Sequence, residues 1–401
     1  MKELKHLIYF ENLLEDANNE LVRKAEAEGD LAIGYTCFHA PEVLLNLGNC
    51  FSVRLRAPHT NSMELATYYM ANNSCEFSRA LLERALEGNY SFLHAMAGVD
   101  VCEANNRAIE NMEIMHMQGE DKEKFFYCNL DIPYSDDEDC VEHIREQVSR
   151  KILKPLHENY GIDTSDDAIR AAVSEHNEVC RILTEIGELR KLDIPPITGY
   201  EYAVLVLVSY TCPKRLILPY LRETLEEIKS RKTDAEKDYR VRVVVVGSEI
   251  DDPQLIKLIE GCGALVVADR YCYGSFPGRQ EIELSDTEDA LTQVCRWYLQ
   301  NTECPRQSAL HRVKYRNDHV AQLVRDFRAD GAIYEQMKFC TYWSYERVIA
   351  SQVMPRDYGI QMLSIDRPYI SGQSGQLRTR VQAFVESLEI KKLRTAQKEE
   401  N

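Results

Sequence analysis

Short apolar runs alternating with segments of helical period constrain this chain more than any other feature. LAIGYT, FSVRLRA, SFLHAMAGV and FFYCNLDIP punctuate residues 31–135. VRVVVVG, ALVVADRYCYG, GAIYEQMKFC and GIQMLSIDRPY punctuate residues 239–392. Apolar runs of this length suit strands buried on both faces, and the helical segments between them supply the crossovers that parallel strands need. The expected fold class is α/β, with two doubly wound (Rossmann/flavodoxin-like) parallel-sheet domains. Residues 136–238 read as a helical connector, residues 1–30 as an N-terminal helical segment and residues 393–401 as a frayed tail. NSMELATYYMANNSCEFSRALLERALEG reads as two helices around Cys75, and GYTCFHAPEVLLNLGN as strand, turn and helix.

Composition narrows the class. The longest apolar stretches, such as YAVLVLVSY, are too short to span a bilayer, and the amphipathic N-terminus lacks a cleavage site, so a cytoplasmic protein without a membrane partner is expected. A net charge of −17 disfavours nucleic acid as a partner. Thirteen cysteines are an odd number, which cannot close into a disulfide framework. The chain has no CxxC, no HExxH and no phosphate-binding glycine fingerprint. Any metal site must therefore draw its ligands from distant segments.

Cys75, Cys102 and Cys340 each sit where an element is expected to end, and open α/β sheets place their chemistry at the carboxyl ends of strands. Three converging thiolates can hold a soft metal site with one position left open. Taken singly, each reads more readily as a small buried apolar residue. Glu103 follows Cys102 directly, where it can hydrogen-bond a ligand. Pro41 and Glu42 suit a first helical turn, whose amides can seat an anion beside Cys37. In SGQSGQLRTR, the amides of Ser374, Gly375 and Gln376 and the side chains of Arg378 and Arg380 can meet a phosphate or thioester oxygen; a solvated surface helix is the alternative.

In this order, GYTCFHAPEVLLNLG, SCEFSRALLERAL, GVDVCEANNRAIENM, GSEIDDPQLIKLIEGCGALVVADRYCYGS, MKFCTYWSYE and SGQLRTRVQAFVE resemble the 2-hydroxyacyl-CoA dehydratase and benzoyl-CoA reductase superfamily. This is also called the 2-hydroxyglutaryl-CoA dehydratase D-component family, and the likeness runs over roughly residues 30–390. The resemblance implies a [4Fe–4S] cluster on Cys75, Cys102 and Cys340. It also implies a paralogous partner subunit in a hetero- or homodimer, an ATP-dependent iron–sulfur activator protein and an acyl-CoA substrate that loses water through a ketyl radical. Two readings on the same scaffold remain open. One is a benzoyl-CoA-reductase-type enzyme. The other is a double-cubane-type reductase, whose larger [8Fe–9S] cluster would draw on Cys37, Cys50, Cys272 and Cys304. Of another class altogether is a non-catalytic paralogue that binds a partner. The chain departs from the family in having Glu103 where Asp is frequent and Asp366 followed by Arg367–Pro368.

Overall fold

The computed structural model describes residues 2–117, 124–233, 239–275, 279–370 and 374–399. Helices α1 (Leu7–Leu13) and α2 (Glu20–Ala27) lead into strands β1 (Leu31–Tyr35), β2 (Cys50–Arg54), β3 (Ala95–Asp100) and β4 (Phe126–Asp131). These form one parallel sheet in the order β2-β1-β3-β4. Helices α3 (Glu76–Leu86) and α4 (Glu103–Met117) belong to the crossovers, and the two pack together. The second sheet repeats the arrangement. Strands β5 (Val241–Gly247), β6 (Ala264–Tyr271), β7 (Gly331–Met337) and β8 (Met362–Arg367) run parallel in the order β6-β5-β7-β8. Strands β5 and β7 are buried along their whole length, β5 by its run of valines and β7 with Glu335 and Gln336 enclosed among its apolar residues. In both sheets the chain order reverses beside the first strand, between β1 and β3 and between β5 and β7. A sheet of this kind offers its crevice at that point, outside the strand carboxyl ends.

The helices between the sheets are α5 (Glu138–Val148), α6 (Lys154–Tyr160), α7 (Asp166–Glu188), α8 (Gly199–Thr211) and α9 (Lys214–Ser230). A π-helical turn over Ser149–Leu153 joins α5 to α6. Every residue of α8 is buried. Its sequence is apolar on all sides because it touches β2 of one sheet and β6 of the other. A reciprocal capping box between Thr198 and Glu201 starts this helix. The helical stretch thus forms core shared by both halves. Helices α10 (Gln254–Glu260), α11 (Ala290–Gln300), α12 (Leu310–Asp326), α13 (Thr341–Asp357) and α14 (Ser374–Glu399) complete the second half.

Three local expectations change. Only one α-helix, α3, flanks Cys75; before it lies a loop with a single 3-10 turn, Ala66–Tyr68. The buried Glu83 carboxylate accepts the Leu65 and Ala66 amides at 3.3 and 2.7 Å and pins that loop. The helix expected after Pro41 is a four-residue 3-10 turn, Glu42–Leu45. The tail continues α14 as far as Glu399. Among the described residues, no helix is long and apolar enough to cross a membrane.

Candidate functional site

Cys37 lies two residues beyond β1, Cys102 two beyond β3, Cys272 directly after β6 and Cys340 three beyond β7. With Cys304, from the loop between α11 and α12, these five thiols line one cavity of about 80 Å³ at the junction of the two halves. Cys75 joins them through a hydrogen bond with Cys340. The three cysteines singled out in the sequence therefore meet.

Each of these three sits immediately before a helix. The amides of Phe77 and Ser78 point at Cys75, those of Ala104 and Asn105 at Cys102, and that of Trp343 at Cys340. These are the free first-turn N–H groups of α3, α4 and α13, which favour thiolate over thiol. The hydrogen bond from Cys340 lowers the Cys75 thiol, and the same bond, with burial, raises Cys340. Burial pushes Cys102 and Cys37 up to about 12.

The turn before Cys340 is strained. Phe339, 41% exposed, takes φ +64°, a left-handed conformation that a bulky residue adopts at a cost of about 1–2 kcal/mol. The turn leaves the Lys338 carbonyl accepting the Glu76 amide at 3.2 Å. That bond ties the start of α3 to the end of β7 and brings Cys75 to Cys340.

Arg54, Glu249, His39 and Arg270 also line the cavity. Arg54, 2% exposed, ends β2 and stacks on Tyr273, Tyr210 and Tyr35 at 3.9, 4.8 and 6.0 Å from the ring centroids. Glu249 follows β5 at the switch point, and burial pushes its carboxyl up to about 8. His39 is buried with Nε2 3.2 Å from Thr302 Oγ1, and burial lowers it to about 3, so it is a neutral imidazole. Arg270, near the end of β6, is held by Glu303.

The other expected site residues lie elsewhere. Glu42 is fully engaged away from the thiols: Lys214 Nζ approaches its Oε1 at 2.6 Å and Arg279 Nη1 its Oε2 at 3.0 Å. Burial alone would raise this carboxyl, but Arg279 and Lys214 outweigh it and hold the group well below the ordinary carboxylate range. Glu103 is exposed on the first turn of α4. Cys50 opens β2, at the amino end of the sheet, and so cannot join thiols gathered at carboxyl ends. Ser374, Gly375 and Gln376 open α14; the Ser374 side chain and residues 371–373 lie outside the described residues. Gln376, Arg378 and Arg380 line a separate cleft of about 620 Å³ with Lys257, Asp251 and Tyr369. Tyr369 links that cleft to the thiols, because its amide donates to Glu76 Oε2 at 2.7 Å, one residue from Cys75.

Among the described residues, no group of three or more His, Cys, Asp or Glu side chains is drawn together to hold a single metal ion. The thiols instead surround a space. An iron–sulfur cluster asks for that, since each ligand binds a different iron. An all-thiol donor set also fits a cluster better than a hard cation.

The chain matches the family described as 2-hydroxyglutaryl-CoA dehydratase, D-component, over residues 37–388. It is 23% identical to the (R)-phenyllactyl-CoA dehydratase beta subunit of Clostridium sporogenes, over 94% of this chain and 97% of that protein. It is 21% identical to the (R)-2-hydroxyglutaryl-CoA dehydratase subunit beta of Acidaminococcus fermentans, over 92% and 95%. Identity to a benzoyl-CoA reductase subunit of Thauera aromatica is also 21%, over 79% and 80%.

Proposed function

The chain belongs to the 2-hydroxyglutaryl-CoA dehydratase D-component family, and from that premise we propose that it is the [4Fe–4S] subunit of a cytoplasmic 2-hydroxyacyl-CoA dehydratase. One observation carries the proposal: Cys102 and Cys340, from the two halves of the chain, line one cavity outside the strand carboxyl ends, and Cys75 is joined to Cys340 beside it. Those three thiolates would hold the cluster. When bound, it supplies low-potential one-electron chemistry, which a CoA thioester carbonyl needs before the neighbouring hydroxyl can leave.

The chain's own residues do the rest. Three helix N-termini turn their amides towards the ligand thiols and favour their thiolate form. Tyr342 and Trp343 wall the cavity and keep bulk water from it. Lys257, Arg378 and Arg380 place cations along the larger cleft, which suits the phosphates of coenzyme A. Relatives are named beta subunits, which supports a working enzyme that includes a related partner subunit, with an ATP-dependent activator protein delivering the electron.

A second reading has its own observation. Cys37, Cys272 and Cys304 line the same cavity as Cys102 and Cys340. Six thiols favour a larger, double-cubane-type cluster and a low-potential reductase, in which electrons stay on the product. Iron and sulfide analysis after anaerobic purification separates the readings, on wild type and the six Cys→Ala variants. About four irons, lost only when Cys75, Cys102 or Cys340 is replaced, supports the first reading. About eight, lost with any of the six, supports the second. A folded protein without iron removes both and leaves a partner-binding paralogue.

A further inference from the structure

Some buried arginines in this molecule meet a carboxylate, and others, such as Arg56 and Arg242, are met by backbone carbonyls. Arg190 meets Asp269 at 2.9 Å, Arg279 meets Glu42 at 3.0 Å, and Arg316 forms two bonds of 2.8 Å with Glu346. Arg54 is as deeply buried, yet among the described residues no carboxylate lies within ion-pair distance of it. Its Nε donates to the Thr36 carbonyl at 3.3 Å, and its Nη1 has no partner. Arg270, also 2% exposed, spends Nε and Nη2 on Glu303 and leaves its own Nη1 without a partner. Both side chains line the thiol cavity. An uncompensated guanidinium in a dry interior is strongly unfavourable, and so is an unmet N–H. Glu303 balances the charge of Arg270 and Glu249 acts on Arg54 through space, but neither meets the two Nη1 groups, and these N–H donors at one cavity suit an anion that arrives from outside the chain.

We propose that Arg54 and Arg270 are positioning residues that carry the counter-charge of the anionic iron–sulfur group held among the thiols. The inference rests on the iron–sulfur reading above. A cluster ligated by thiolates is anionic and becomes more so when reduced. Guanidinium N–H groups directed at its sulfurs stabilise the reduced form more than the oxidised one and so raise the reduction potential. Arg54 is fixed for this task by its stack of three tyrosines, which hold the planar cation without neutralising it. Arg270 is fixed by Glu303 on one edge, which leaves the other edge for the cavity.

The test is an anaerobic redox titration followed by electron paramagnetic resonance, with iron content and far-ultraviolet circular dichroism recorded for each sample. Arg54→Gln is expected to hold iron with a midpoint shifted to more negative potential. Arg54→Lys and Arg270→Lys, which keep the charge but lose the planar fork, are expected to shift the same way by less. A folded Arg54→Gln that loads no iron, with loading restored in Arg54→Lys, also supports the inference. A wild-type midpoint in iron-loaded Arg54→Gln overturns it. If Arg54→Gln does not fold, wild-type midpoints in both lysine variants overturn it instead. Wild-type protein that binds no iron defeats the iron–sulfur reading itself, a result distinct from both.

Discussion

Arg279 and Arg54 stack on the same ring, Tyr210, at 3.7 and 4.8 Å, and belong to two different kinds of interior. The region around Arg279 is closed. Glu42 binds both Arg279 and Lys214, Ser52 donates to Glu42 at 3.3 Å, and Arg279 also donates to Ser209 at 2.9 Å. These residues come from the first half, the helical stretch and the second half, so the network clamps all three together. The region around Arg54 is open. It gathers thiols, two carboxyls and two guanidinium groups, and leaves Arg54 Nη1, Arg270 Nη1 and Glu249 Oε2 without partners. A buried charge network that satisfies itself is scaffold. One that does not is incomplete until something binds.

Breaking the closed region should have the largest effect. Glu42→Ala leaves Lys214 and Arg279 buried without their carboxylate and is expected to cost about 3–5 kcal/mol in denaturant unfolding. A loss under about 1 kcal/mol would mean the network is not the clamp its geometry describes.

Acid should open the same region next. His176 lies beside Glu42 and is fully buried, and burial lowers it to about 4. Its neutral form therefore stabilises the fold above its unfolded value near 6.5, and that contribution is lost as pH falls towards 4. The expected loss is roughly 3 kcal/mol across this window. Urea midpoints measured from pH 7 to 4 would show it, and the slope should flatten in His176→Gln.

The open region should behave in the opposite way. In the iron-free protein, Arg54→Met removes a cation that has no carboxylate, so stability should change by less than about 1 kcal/mol. Arg279→Met should cost several times more. Equal losses in the two would erase the distinction between the regions. The smallest effect on folding belongs to the cleft: Arg378→Ala and Arg380→Ala should leave stability within about 0.5 kcal/mol while weakening acyl-CoA binding. Calorimetry showing unchanged binding in both would remove the cleft from the proposed substrate path.

Much of the site was legible in particular residues. Cys102 and Cys340 follow runs that read as buried strands, and strand ends are where such sheets carry chemistry. Arg54 was missed although its signal was present: FSVRLRA places a cation inside a strand that has no exposed position. Glu249 was also readable in principle, as the acidic residue just beyond VRVVVVG at the switch point. Glu42 misled because proline followed by glutamate is a helix-start pattern, whereas only four residues of 3-10 turn follow. The Glu42 carboxylate was then free to turn to Lys214 and Arg279, 172 and 237 residues away.

By itself the sequence determined two parallel α/β halves, a helical stretch between them and cysteines at the strand ends. These follow from local periodicity and from the burial that each run demands. Only the tertiary structure decided which thiols meet, that Cys50 is left out, and which charges are matched. Those outcomes depend on how α8 seats one sheet against the other and on the strained turn at Phe339 that joins Cys340 to Cys75. Contacts between residues hundreds of positions apart are set by packing, and no local pattern records them.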